Sequence, residues 1–215
     1  MVKVAGAYTL FPTLILDVDC SELLPEVTDL RKKTAMRPNR PDVSDSFLVL
    51  NESALKRKFE NIVNESLKNL KYTVPLEMTT SWFTYTEPGK YIGEHTHTNS
   101  FWSGVFYLQD SSPLNFFKED VGISVPSLVQ NENLVFAGII PIEAKEGHML
   151  LFPSHVRHGS MINETKSARY SLAMNFMPNA KVLNNDSSYY YGTGSFNAKD
   201  YEMKPNFDGI RPYTH

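Results

Sequence analysis

Cysteine is nearly missing from this chain: Cys20 stands alone among 215 residues. An intramolecular disulfide is therefore excluded, and so is a zinc site of the multi-cysteine kind. A strong excess of either charge is missing as well. With 21 Lys and Arg against 24 Asp and Glu, and a net charge of −3, nothing draws the chain as a whole to nucleic acid or to an anionic membrane. Long apolar runs are also lacking. The run near the N-terminus, Leu10 to Leu16, is interrupted by Pro12 and Thr13. It is too short to cross a bilayer, and no small-residue cleavage site follows it. These absences lead us to expect a cytoplasmic protein with no membrane or nucleic-acid partner.

What is present is ordinary for a globular protein, with 41% hydrophobic and 21% charged residues in a chain of single-domain length. Three stretches of residues 1–215 differ in pattern. Residues 1–75 predict a strand around Tyr8–Leu16 and then two helices. The first, Ser21–Lys33, has Ser21 as its N-cap and Leu23, Leu24, Val27 and Leu30 at helical spacing. The second, Asn51–Leu70, sets Leu55, Phe59, Ile62, Val63, Leu67 and Leu70 on one face. The Pro- and Asn-rich run between them, 36–46, reads as a loop. Residues 76–180 alternate short apolar runs with turn signals, which predicts a β-sandwich or jelly-roll barrel. Residues 181–215, rich in Asn, Ser, Tyr and Gly, predict an extended arm or tail. Aromatic residues in that tail leave a homodimer open.

The chain has six histidines. His95 and His97 are two apart, just before a strand, and in extended chain such residues project to one face and can converge on one ion. A third ligand would come from a distant segment, since barrels bring remote strands together. His155 and His158 are three apart at the end of an apolar strand, so they face opposite ways and one of them joins the site. Spacing does not choose between them.

Residues 81–108, SWFTYTEPGKYIGEHTHTNSFWSGVFYL, and 152–176, FPSHVRHGSMINETKSARYSLAMNF, together resemble the 2-oxoglutarate- and Fe(II)-dependent oxygenase superfamily. The similarity is greatest to its branch with an H-x-H-x-N-S run before an S-G-V-x-Y-L strand. The opening LFPT at 10–13 is similar too. The resemblance implies a double-stranded β-helix (jelly roll) core, beside the N-terminal flanking helices read above, with metal ligands near one open end, Fe(II) as metal and 2-oxoglutarate as cosubstrate. His158 matches the distal metal ligand. Arg169, eleven residues on, matches the basic residue that pairs with the far carboxylate of 2-oxoglutarate, a task suited to a planar fork of donors. Tyr107 matches a tyrosine on that same carboxylate, and Tyr85 a further cosubstrate-side tyrosine. Asn99, Trp102 and Asn175 are candidates for lining the site.

The chain departs from the family at one ligand. The usual H-x-D/E…H site has a carboxylate where His97 stands. Either the site holds three histidines, or His97 does not bind and another ligand takes its place. Glu94 is no substitute, because a neighbour of His95 in extended chain points away from it. An imidazole in place of a carboxylate leaves the site one charge unit more positive and less selective against zinc, nickel and copper. The resemblance implies oxidation of a small molecule or of a residue in another protein, with succinate and carbon dioxide as coproducts. Two alternatives stand beside it. Gly89 and His95-x-His97 also match the opening of the cupin motif, G-x5-H-x-H, though the glutamate that should follow is absent. A jelly roll that binds without catalysis is the other.

Overall fold

A computed structural model of the chain describes residues 13–72, 74–118 and 138–179. Strand β1 spans Leu16–Asp19 and helix α1 spans Leu24–Lys33, with a 3-10 turn at Ser21–Leu23 between them. Strands β2 (Met36–Arg37) and β3 (Arg40–Ser44) form a small hairpin. Helix α2 is Ser53–Leu67. The remaining strands are β4 (Leu76–Thr86), β5 (Trp102–Tyr107), β6 (Ser111–Phe117), β7 (Ile139–Ala144), β8 (His148–Pro153), β9 (His158–Ser160) and β10 (Arg169–Pro178).

Two antiparallel sheets result. The large one has the order β1-β8-β5-β10-β4-β3-β2, and the small one β7-β6-β9. This is the expected β-rich fold with N-terminal helices. The large sheet buries apolar residues on both faces, and its strands alternate between two cores. Leu172, Met174 and Phe176 of β10, Phe106 of β5 and Met149 and Leu151 of β8 pack outward with Leu55, Phe59, Val63 and Leu67 of α2. Tyr107 of β5 and Leu150 and Phe152 of β8 face inward against Leu114 and Phe116 of the small sheet. The inner face holds the site and the helices back the outer one.

Several expectations change. The 36–46 run is not a plain loop: it holds the β2–β3 hairpin, and Val43 pairs with Thr84. Pro41 is compatible because this hairpin lies at the edge of the sheet. Ser111–Phe117, whose Asp-Ser-Ser-Pro opening reads as a turn, is strand β6, with a register shift between Ser111 and Leu114 that accommodates Pro113. The strand expected around Tyr8–Leu16 is described only from Leu16 onward, and residues 1–12 lie outside the described range. Ser21 does not cap a helix. It lies inside the 3-10 turn, and its N–H is taken by Asp19 Oδ1 at 2.9 Å. Leu70 is 41% exposed beyond the end of α2, so the buried stripe ends at Leu67. The arm expected at 181–215 lies outside the described residues.

Candidate active site

The three histidines meet where two chain segments cross. His95 and His158 exchange both backbone hydrogen bonds, N–H to O at 2.9 and 3.0 Å, as an antiparallel bridge. His97 N–H is held by Ser154 O at 3.0 Å. The donor nitrogens of the three side chains lie within 4.8 Å of one another, and among the described residues no carboxylate joins this group. His155, the other candidate in its segment, is exposed in the turn before β9. A turn at 154–156, and not extended-chain spacing, sets it apart from His158.

Main-chain carbonyls set the imidazoles. His95 Nδ1 donates to Gly93 O and His158 Nδ1 to Val156 O, each at 2.8 Å, which leaves Nε2 of both rings as a bare lone pair. His97 Nε2 stands 3.2 Å from His158 Nε2. Two nitrogens each about 2.0–2.1 Å from one ion would sit roughly 3.0–3.4 Å apart, so the spacing fits a shared metal. Burial, then the neighbouring His158 and His95, pulls the His97 pKa down to about 3. Burial also pulls His158 down to about 4, against the opposing bond to Val156. Both rings are therefore neutral, as ligation requires. Glu94 turns the other way and is bound by Arg157.

Close packing supports the crossing. A Cβ on Gly159 would lie 2.9 Å from Ile92 O, so only glycine lets the His95 segment lie this near β9. Trp82 on β4 lies 5.7 Å from His97, and Phe152 on β8 lies 4.5 Å from His158, ring to ring.

The histidines open onto a cavity of about 820 Å³ whose lining includes Trp82, Tyr107, Ser111, Ser160 and Arg169. Arg169 is buried at the start of β10. Its guanidinium donates to Ser111 Oγ at 3.3 Å, to Met161 O at 2.8 Å and to Ser160 Oγ. No carboxylate is paired with it among the described residues. Burial lowers its pKa and the nearby Tyr107 opposes that. The Tyr107 hydroxyl is fully buried without a hydrogen-bond partner, and burial raises its pKa. A buried cation and an orphaned buried donor on one wall are what a ligand carboxylate would satisfy.

Other expected residues fall elsewhere. Tyr85 contributes to the cavity lining, but it pairs with Tyr170 on β10 while its neighbour Thr86 pairs with Arg169. Its ring lies 5.1 Å from that of Tyr170, on the sheet face opposite Arg169 and Tyr107. Asn99, Trp102 and Asn175 do not line the cavity. Asn99 sits in a turn with φ 56°, Trp102 Nε1 donates to Tyr72 Oη at 2.9 Å, and Asn175 bonds Thr80 and Ser103. Trp82 and Ser160 went unnoticed in the sequence, although two-residue spacing along β4 and β9 sets Ser160 on the side of His158.

Comparison with known proteins agrees with this site. Residues 80–175 match the family described as "Putative 2OG-Fe(II) oxygenase". These residues form a 2OG-Fe(II) oxygenase domain. The match spans His95, His97, His158, Tyr107 and Arg169, and it favours this reading over the cupin and the non-catalytic jelly roll. Among solved structures, the oxygenase is similar in fold to the non-heme alpha ketoglutarate dependent epimerase SnoN from nogalamycin biosynthesis, at TM-score 0.55 and 11% identity over 78% of this chain and 79% of that one. It is also similar to HygX from Streptomyces hygroscopicus, solved with nickel and 2-oxoglutarate bound, at TM-score 0.54 and 11% identity over 78% and 83%. A 2OG-Fe(II) oxygenase family oxidoreductase from Burkholderia pseudomallei matches at TM-score 0.53 and 12% identity over 76% and 83%. Curated proteins return no match. Residues 80–175, which carry the site, thus match a family of enzymes that use Fe(II) and 2-oxoglutarate. Among the described residues no helix is long and apolar enough to cross a membrane.

Proposed function

We propose that this oxygenase holds Fe(II) on His95, His97 and His158, binds 2-oxoglutarate with its far carboxylate on Arg169 and Tyr107, and hydroxylates or otherwise oxidises a small molecule. The observation that carries this reading is the orphaned Tyr107 hydroxyl beside Arg169, in the same cavity as the three histidines. Bound together, Fe(II) and 2-oxoglutarate supply activation of dioxygen, with succinate and carbon dioxide released and a C–H bond of the substrate oxidised. The chain's own part is placement. The carbonyls of Gly93 and Val156 keep two imidazole lone pairs on the ion, and the Arg169 guanidinium aligns the cosubstrate. Trp82, Phe116 and Phe152 wall the histidines with apolar surface. A cavity of about 820 Å³ has room for a small molecule beyond the cosubstrate. The similar HygX structure that contains hygromycin B accords with a small-molecule substrate.

The test is anaerobic loading with Fe(II) followed by titration with 2-oxoglutarate, read in the visible charge-transfer band of the chelate. The band should appear, weaken in Arg169→Ala and vanish in His158→Ala, and succinate release should follow on admitting oxygen. Tight iron binding with no band at any 2-oxoglutarate concentration would overturn the cosubstrate assignment.

A further inference from the structure

The hydroxyl of Ser160 ties three pieces of the site together. Its oxygen accepts the backbone N–H of Ile92 at 2.7 Å and a guanidinium N–H of Arg169. Its own N–H donates to Ile92 O at 3.0 Å. Ile92 is three residues before His95, Ser160 is two after His158, and Arg169 opens β10. One oxygen thus joins both ligand-bearing segments to the carboxylate clamp.

A serine hydroxyl has two lone pairs and one proton. Both lone pairs are taken, and among the described residues the proton has no acceptor. Ser160 lines the cavity together with Arg169 and Tyr107. An acceptor arriving beside Arg169 is the natural destination of that proton.

We propose that Ser160 is a positioning residue that couples the cosubstrate clamp to the metal-ligand segments and turns its remaining proton to the far carboxylate of 2-oxoglutarate. This rests on the clamp assigned above. When the carboxylate docks, the guanidinium is held from behind by Ser160 Oγ, and the same oxygen holds the segment that carries His95. Cosubstrate and metal therefore strengthen one another's binding through Ser160, by the same factor in each direction.

The test uses the full chain loaded with Fe(II) under anaerobic conditions, as wild type, Ser160→Ala, Ser160→Thr and Arg169→Ala. Each is titrated with 2-oxoglutarate and with 2-oxopentanoate, a five-carbon 2-oxo acid that lacks the far carboxylate. Fe(II) affinity is measured with and without cosubstrate. Ser160→Ala should weaken 2-oxoglutarate binding about tenfold and reduce by the same factor the tightening of Fe(II) by 2-oxoglutarate. It should leave 2-oxopentanoate binding within about twofold. Ser160→Thr, which keeps the hydroxyl, should restore wild-type values. Equal losses for the two acids in Ser160→Ala would make Ser160 a general support of the strand and overturn the proposal. Unchanged 2-oxoglutarate binding in Ser160→Ala with a large loss in Arg169→Ala would overturn it and leave the clamp intact. No loss in Arg169→Ala would remove the clamp itself.

Discussion

Tyr107 carries a cost that the folded protein alone does not recover. Leaving a buried hydroxyl without a partner disfavours folding by about 1–3 kcal/mol, and the Tyr107 hydroxyl is such a group. Stability and function therefore pull apart at this one atom. We expect Tyr107→Phe to leave the unliganded protein as stable as wild type or more so in chemical denaturation. The same variant should weaken 2-oxoglutarate binding by several-fold or more. A variant that loses stability and keeps its affinity would mean that the hydroxyl serves packing. The pairing of His95 with His97 was legible in the sequence because period-two spacing is a local fact, whereas His158 was chosen over His155 only through resemblance. Arg169 and Tyr107 were legible through resemblance. The face of Tyr85 was not legible, because it depends on the β4–β10 register, where Tyr85 meets Tyr170, and no local pattern encodes a partner strand. Trp102 and Asn175 look like site residues in the sequence, yet Tyr72 on one side and Thr80 and Ser103 on the other already occupy their polar atoms.

Strand β5 shows how one element serves two cores. Phe106 faces the helices and Tyr107 the cavity, one residue apart. Phe59 of α2 meets Phe106 edge to face at 5.8 Å and is fully buried. Phe59→Ala should therefore destabilise the fold by about 3–5 kcal/mol, as large aromatic truncations in cores do. Below its lowered melting temperature it should keep near-normal affinity for Fe(II) and 2-oxoglutarate. Loss of both properties in parallel would show that the helical layer shapes the site directly. Of the helix ends read from periodicity, Lys33 is right and the others are off by two or three residues, because 3-10 turns at Ser21–Leu23, Val49–Asn51 and Lys68–Leu70 continue the pattern without the α geometry. The β2–β3 hairpin and β6 escaped for a different reason. Proline and polar turn residues dominate both segments, and only pairing with a neighbouring strand makes them extended.

For the whole molecule, the buried histidines link stability to pH. His97 and His158 titrate near 3 and 4 in the folded protein, against about 6.5 for an unhindered histidine. Below pH 6.5 the unfolded chain binds protons at these sites that the folded one refuses. The metal-free protein should therefore hold constant stability from these groups above about pH 6.5 and lose it as pH falls toward 4 and then 3, with up to two protons taken up on unfolding. Denaturation midpoints at pH 7.5, 6 and 5 check this, after comparison with His97→Asn. A wild-type slope no steeper than that variant's would remove the histidines from the account.

The crossing of the His95 and His158 segments is closed by main-chain bonds, with Gly159 permitting the approach and carbonyls orienting the rings. None of these contacts needs an ion. The two segments are thus joined by bonds other than those to a metal. Three imidazoles accept several divalent ions, so the occupant is decided by relative supply and ligand preference at the moment of entry.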